Sequence, residues 1–120
     1  MANGEVVRII MELLSKTKSS EVPWAEPSGI DMLRVMYPES VFLSLPKSKI
    51  IVRRSADKQN VEFQIENLVG AIVQKVTAAK NDGLYAPLTE LLATALNQAR
   101  KVEQTMRDVD EFLKKPPPKG

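Results

Sequence analysis

A run of apolar residues at alternating steps of four and three, near the C-terminal end, constrains this 120-residue chain more than any other feature. Pro87 suits the first turn of a helix, and Pro116 stops one. Between them the pattern predicts one amphipathic helix of about 28 residues, which at 1.5 Å per residue is roughly 42 Å long. The apolar stripe of this helix consists of Leu88, Leu92, Ala95, Ala99, Val102, Met106, Val109 and Leu113.

The remainder of the chain predicts one further helix and a set of short strands. An apolar run over residues 5–18 has the length of a helix, and its apolar positions indicate burial on two sides. From residue 40 onwards apolar and polar residues alternate with a period of two, which is typical of half-buried antiparallel strands. A proline-containing turn at 46–48 and a polar loop at 55–60 separate three such strands.

Residues 64–80 are compatible with two structures. Their apolar positions have helical spacing, but a helix would place Gly70 in its interior at a cost of about 1 kcal/mol. In the other structure Gly70 occupies a hairpin corner with positive φ, and residues 72–76 begin a fourth strand. The two short runs on either side of Gly70 favour the hairpin, and a helix over 64–80 is the alternative.

Together these elements predict an α+β fold, in which a four-stranded antiparallel β-meander is flanked by an N-terminal helix and a long C-terminal helix. We expect residues 1–115 to form a single domain and the Pro/Lys segment 116–120 to be a disordered tail. Strands of about six residues make a sheet only about 20 Å long. The C-terminal helix is therefore predicted to extend well beyond its own sheet.

The apolar stripe continues to the end of this helix, so its second half needs a cover that the sheet does not provide. We expect a second copy of the helix to pack antiparallel on it and form a homodimer, with the small alanines at the crossing. The alternative is a kink that folds the helix back on the N-terminal helix of the same chain. The predicted interface consists of Ala95, Ala99, Val102, Met106, Val109 and Leu113.

Composition narrows the functions that the chain can have. The absence of cysteine excludes disulfides, zinc–thiolate sites and thiol catalysis, and is consistent with a reducing cytoplasm. The absence of histidine removes the commonest general base and the commonest transition-metal ligand. No apolar stretch approaches the ~18 residues of a membrane span, and the first residues lack the features of a secretory signal. We expect a cytoplasmic, non-enzymatic protein-interaction module without catalytic residues, cofactor, metal or membrane partner.

Two other functions are alternatives to this interpretation. The basic segment Lys47, Lys49, Arg53 and Arg54 could bind nucleic-acid phosphates, in a chain whose net charge is +2. It lacks the interleaved aromatic side chains of single-strand binders, so a solvated strand face is the favoured interpretation. The third hypothesis is an enzyme that acts through carboxylates and lysines alone.

Trp24, in an irregular proline-rich stretch, also has two interpretations. Its indole closes one end of the core, or it is an exposed anchor for a larger protein partner. We favour the first interpretation, because a large apolar ring is more often part of a core.

Five short patterns follow one another along residues 5–115. They are Leu-Leu-x-x-Thr (Leu13, Leu14, Thr17), Phe-x-x-Leu (Phe42, Leu45), a basic strand ending Arg53-Arg54, a strand–Gly–strand hairpin, and Leu-x-x-Leu-x-x-x-Ala-x-x-x-Ala. In this order they resemble a loose group of small, uncharacterised bacterial proteins of similar length. The resemblance implies a helix–four-strand–helix fold and a bacterial origin, and it brings no established activity.

Overall fold

A computed structural model describes residues 4–27 and 36–114 of the chain. The fold is α+β, with an N-terminal helix, four antiparallel strands in one sheet and a long C-terminal helix, as the sequence predicts. The tail predicted at 116–120 lies outside the described residues. In chain order the elements are α1 (Gly4–Lys18), β1 (Ser40–Ser44), β2 (Ser48–Arg54), β3 (Asn60–Asn67), β4 (Ile72–Ala79) and α2 (Tyr85–Lys114).

The strands form a meander in the order β1-β2-β3-β4, with every neighbouring pair antiparallel. One row of paired residues crosses the sheet from Val41 through Val52 and Phe63 to Val76, and all four are buried. Because side chains alternate between the two faces of a strand, this row and its neighbours two residues away form the apolar inner face.

The structure resolves the ambiguity at residues 64–80 in favour of a hairpin. Gly70 lies at the corner between β3 and β4 with a φ of 80°, a conformation that only glycine adopts without strain. The Asn67 side-chain oxygen accepts hydrogen bonds from the backbone N–H groups of Val69 and Ala71 and holds the corner in place. The helical alternative is wrong, because this corner interrupts the chain between the two strands.

The core lies between the inner face of the sheet and the two helices. α2 contacts all four strands, and α1 packs beside α2. Ile10 and Leu14 of α1, together with Leu88 and Leu92 of α2, belong to one cluster with the apolar row of the sheet. Each helix contributes one buried stripe, as an amphipathic helix on a sheet must, so the predicted burial of the N-terminal helix on two sides is wrong.

Trp24 closes the core at the end of α1. Its indole is buried, and its Nε1–H donates a 2.8 Å hydrogen bond to the Oγ1 of Thr17, which is fully buried. The interpretation of Trp24 as a core residue is confirmed. A role as an exposed partner anchor is wrong, because the ring is already covered by its own chain and its polar atom is already paired.

α2 is one uninterrupted helix of 30 residues, which corresponds to about 45 Å. A kink that folds it back within the chain is therefore not present. The molecule measures 65 Å along its longest axis and 31 and 29 Å along the others, as expected when a helix projects from a small body. Neither helix of the described residues has the length and apolar content required to cross a membrane.

Candidate interaction surface

The two halves of α2 have opposite environments. All the buried residues of the helix lie in residues 85–99, whereas every residue from 100 to 114 is exposed. The buried set is Leu88, Leu91, Leu92, Ala95, Leu96 and Ala99. The predicted overhang is therefore present, and it begins immediately after Ala99.

The structure corrects part of the predicted interface. Ala95 is 0% exposed and Ala99 is 5% exposed, because both face the core of their own chain. Ala95 has no surface left for a second copy and Ala99 has almost none, so the predicted crossing at these alanines is wrong. Their small size serves the packing of α2 inside the molecule instead.

The other four predicted residues are open on the projecting half. Val102, Met106, Val109 and Leu113 are 63%, 65%, 50% and 73% exposed, and their steps of four and three place them on one side of the helix. Phe112, 74% exposed, lies next to them but is missing from the predicted interface. The sequence contains the signal for it, because Phe112 is three residues after Val109 and adjoins Leu113.

We call these five residues the distal stripe: Val102, Met106, Val109, Phe112 and Leu113. The stripe spans eleven residue steps, or roughly 17 Å of helix. Single exposed apolar residues are ordinary on a protein surface, but a contiguous apolar surface marks an interaction site. The distal stripe is the largest exposed helical set of this kind among the residues that the structure describes.

One flank of the distal stripe carries charges of alternating sign. Glu103 and Asp110 each form an ion pair with the basic residue four positions later, at 3.4 Å to Arg107 and 2.7 Å to Lys114. From residue 103 to residue 114 the flank therefore reads acidic, basic, acidic, basic. An antiparallel copy presents the same series in reverse, so each charge faces one of opposite sign.

A shallow groove of about 270 Å³ lies where the distal stripe meets the body of the protein. Trp24, Ala25 and Ala99 form part of its wall, and Val102 belongs to both the groove and the stripe. Beside it, Arg100 Nε is 2.9 Å from Oε1 of Glu26, a carboxylate that is largely buried. This ion pair links the first residue of the projecting half to the body of the protein.

The basic segment does not form one surface. Lys47 lies exposed in the turn between β1 and β2, and Lys49 places its Nζ 4.6 Å from the centre of the Phe42 ring. Arg53 and Arg54 are consecutive in a strand, so their side chains point to opposite faces of the sheet.

Both arginines are already paired. Arg53 donates to Glu62 at 3.0 Å, and its guanidinium stacks on a tyrosine ring. Arg54 donates to Glu39 at 3.0 Å and to the hydroxyl of Tyr85 at 3.4 Å. The hydrogen bond from Arg54 lowers the pKa of Tyr85 below its ordinary value. These contacts occupy the groups that a nucleic-acid phosphate would need.

Within residues 4–27 and 36–114, no three acidic side chains come close enough together to hold a metal ion. Comparison of the chain with protein-family models, with curated proteins and with solved structures finds no match. The resemblance to a group of small bacterial proteins stays a prediction.

Proposed function

We propose that this protein is a non-enzymatic assembly module that works as a homodimer through the projecting half of α2. The observation that supports the proposal is the distal stripe, an apolar surface that continues the core-facing side of the helix but has no cover within the described part of the chain. The absence of cysteine suits a reducing cytoplasm, where we place this dimer.

The energetics favour a covered stripe over an exposed one. A helical segment of 15 residues or fewer is marginal in water, and the projecting half has support at only one end. Complete burial of a large apolar side chain contributes about 1.5–3 kcal/mol. Five such side chains from each of two copies can offset an association cost of about 4–15 kcal/mol. The dimer therefore stabilises the part of the helix that the monomer leaves unsupported.

The second copy packs antiparallel, with its twofold axis between residues 107 and 108. In this register Val102 faces Leu113 of the other copy, and Met106 faces Val109. The alternating flank then brings Glu103 close to the second Lys114, and Arg107 close to the second Asp110. In a parallel pair this flank would instead face the other flank of the second copy, where Thr105 and Phe112 offer no charge, so the charge pattern favours the antiparallel arrangement.

Replacing Val102 and Met106 together by glutamate tests the proposal. Each substitution places a charge within the distal stripe but leaves the core of the chain untouched, because both side chains are exposed. We expect the wild-type protein to have twice the 13.4 kDa chain mass in light scattering at tens of micromolar, and the variant to be a folded monomer.

A matched control is the double variant Asn97→Glu/Gln104→Glu, which changes the net charge by the same amount at two exposed positions on the opposite side of the helix. It should remain a dimer. A wild-type protein that is monomeric at this concentration, or a control that dissociates as readily as Val102→Glu/Met106→Glu, would contradict the proposal.

A further inference from the structure

The two edges of the sheet are treated differently by the chain. The outer edge of β1 is partly closed by Ala25, whose N–H donates to the carbonyl of Phe42 at 3.0 Å and whose carbonyl accepts from Phe42 N–H at 2.8 Å. Apart from the N–H of Asp82, which donates to the carbonyl of Ala79 at the end of β4, no described residue pairs with the outer edge of this strand. An open edge strand presents unpaired backbone groups that can pair with another strand.

The register identifies which groups of β4 are open. The carbonyl of Asn60 accepts a hydrogen bond from the N–H of Ser55, so the backbone groups of Asn60 point towards β2. Along β3 the residues therefore direct their backbone groups alternately to β2 and to β4. On β4 the residues that pair inward therefore alternate with Lys75 and Thr77. The N–H and C=O groups of these two residues point away from the sheet.

A groove of about 470 Å³ runs beside this open edge, between β4, α1 and the segment that leads into α2. Its apolar wall contains Val7 of α1, Val76 of β4 and Leu84. Val76 faces the inner side of the sheet, so a strand added to β4 would place every second side chain against this apolar wall. The groove therefore suits an extended segment with apolar residues on one face.

The opposite face of the sheet specifies the charge of such a segment. There Glu62 of β3 lies between two cations, 3.0 Å from Arg53 of β2 and 3.3 Å from Lys75 of β4. The row reads cation, carboxylate, cation, and it ends on Lys75, whose side chain is 42% exposed at the open edge. An acidic residue on an added strand would continue the alternation.

We propose that the β4 edge binds an extended segment of another protein that alternates apolar and acidic residues, by addition of a fifth strand. Its apolar side chains contact Val7, Val76 and Leu84, and an acidic side chain pairs with Lys75. A second copy of β4 is a poor occupant, because Ile72–Ala79 contains no carboxylate and would bring a second Lys75 to the interface. This site is independent of the dimer through α2.

The test uses three fluorescein-labelled peptides of eight residues and the full-length protein. The first alternates valine and glutamate, the second alternates valine and lysine, and the third has the composition of the first with four valines followed by four glutamates. Fluorescence anisotropy should show the alternating valine–glutamate peptide binding at least fivefold more tightly than either control peptide. The affinity should be the same for the monomeric variant Val102→Glu/Met106→Glu.

Two variants separate strand addition from general charge attraction. Lys75→Glu should abolish the preference for the valine–glutamate peptide over the valine–lysine peptide. Thr77→Pro removes an outward N–H at a position where an edge strand tolerates proline, and it should weaken binding of the acidic peptide at least fivefold. Hydrogen exchange at Lys75 and Thr77 should slow when the acidic peptide binds to the wild-type protein.

Equal binding of the three peptides, no binding at millimolar peptide, or an unchanged preference in Lys75→Glu would overturn the proposal. Association of two copies through β4, seen as self-association of Val102→Glu/Met106→Glu that Thr77→Pro removes, would also overturn it. None of these results bears on the helix dimer, which is tested separately by the mass of the wild-type protein in light scattering.

Discussion

Residues 85–99 and 100–114 belong to one helix and continue one apolar repeat, yet the first half is buried by its own chain and the second half is exposed. The first half has one charged residue, Glu90, whereas the second half has eight. The comparison shows that apolar periodicity indicates that a helix face will be covered, but not by which chain. The charge around the stripe carries that second piece of information.

The largest expected difference between the two halves is in stability. In the monomeric background Val102→Glu/Met106→Glu, we expect Leu92→Ala to lower the free energy of unfolding by about 2–5 kcal/mol, because it leaves a cavity in the core. Phe112→Ala in the same background should change it by less than about 0.5 kcal/mol. Urea denaturation followed by circular dichroism measures both. Similar costs at the two positions would mean that the projecting half is packed within the monomer.

An intermediate loss of stability is expected at Trp24, the residue that closes the core. Trp24→Phe removes the indole N–H and leaves the buried hydroxyl of Thr17 without this donor, which should cost about 1–3 kcal/mol of unfolding free energy. Adding Thr17→Val removes the orphaned hydroxyl as well, so the double variant should be less destabilised than the sum of the two single variants. Strictly additive losses in urea denaturation would show that the hydrogen bond contributes nothing.

The smallest effect concerns the first residue of α2 and depends on pH. Arg54 lowers the pKa of Tyr85, so the unfolded chain holds this proton to a higher pH than the folded chain does. The pair should therefore add stability as pH rises through the interval between the lowered and the ordinary pKa. Ultraviolet titration of Tyr37→Phe follows Tyr85 alone, and adding Arg54→Gln should move its ionisation to higher pH. An unchanged midpoint would refute the contact.

Much of the fold could be predicted because each element has a local signal. The period of two, the turn at Gly70 and the long repeat of α2 depend only on neighbouring residues, and all three predictions are confirmed. The fates of Ala95 and Ala99 could not be predicted in this way, because their burial depends on how far the body of the protein extends along α2. The ion pairs of Arg53 and Arg54 could not be predicted from local signals either. The partner of Arg53 depends on strand register, and the partner of Arg54 is a loop residue distant in the sequence.

The most direct test of the central claim is disulfide trapping between single-cysteine chains, since the protein has no cysteine of its own. In the antiparallel dimer, residue 102 of one copy faces residue 113 of the other, while two copies of residue 102 lie roughly 17 Å apart along the helix. We therefore expect an oxidised mixture of Val102→Cys and Leu113→Cys chains to cross-link efficiently, and each chain alone to remain uncross-linked on a denaturing gel. Cross-linking of either chain alone as readily as the mixture, or no cross-linking in any sample, would contradict the account.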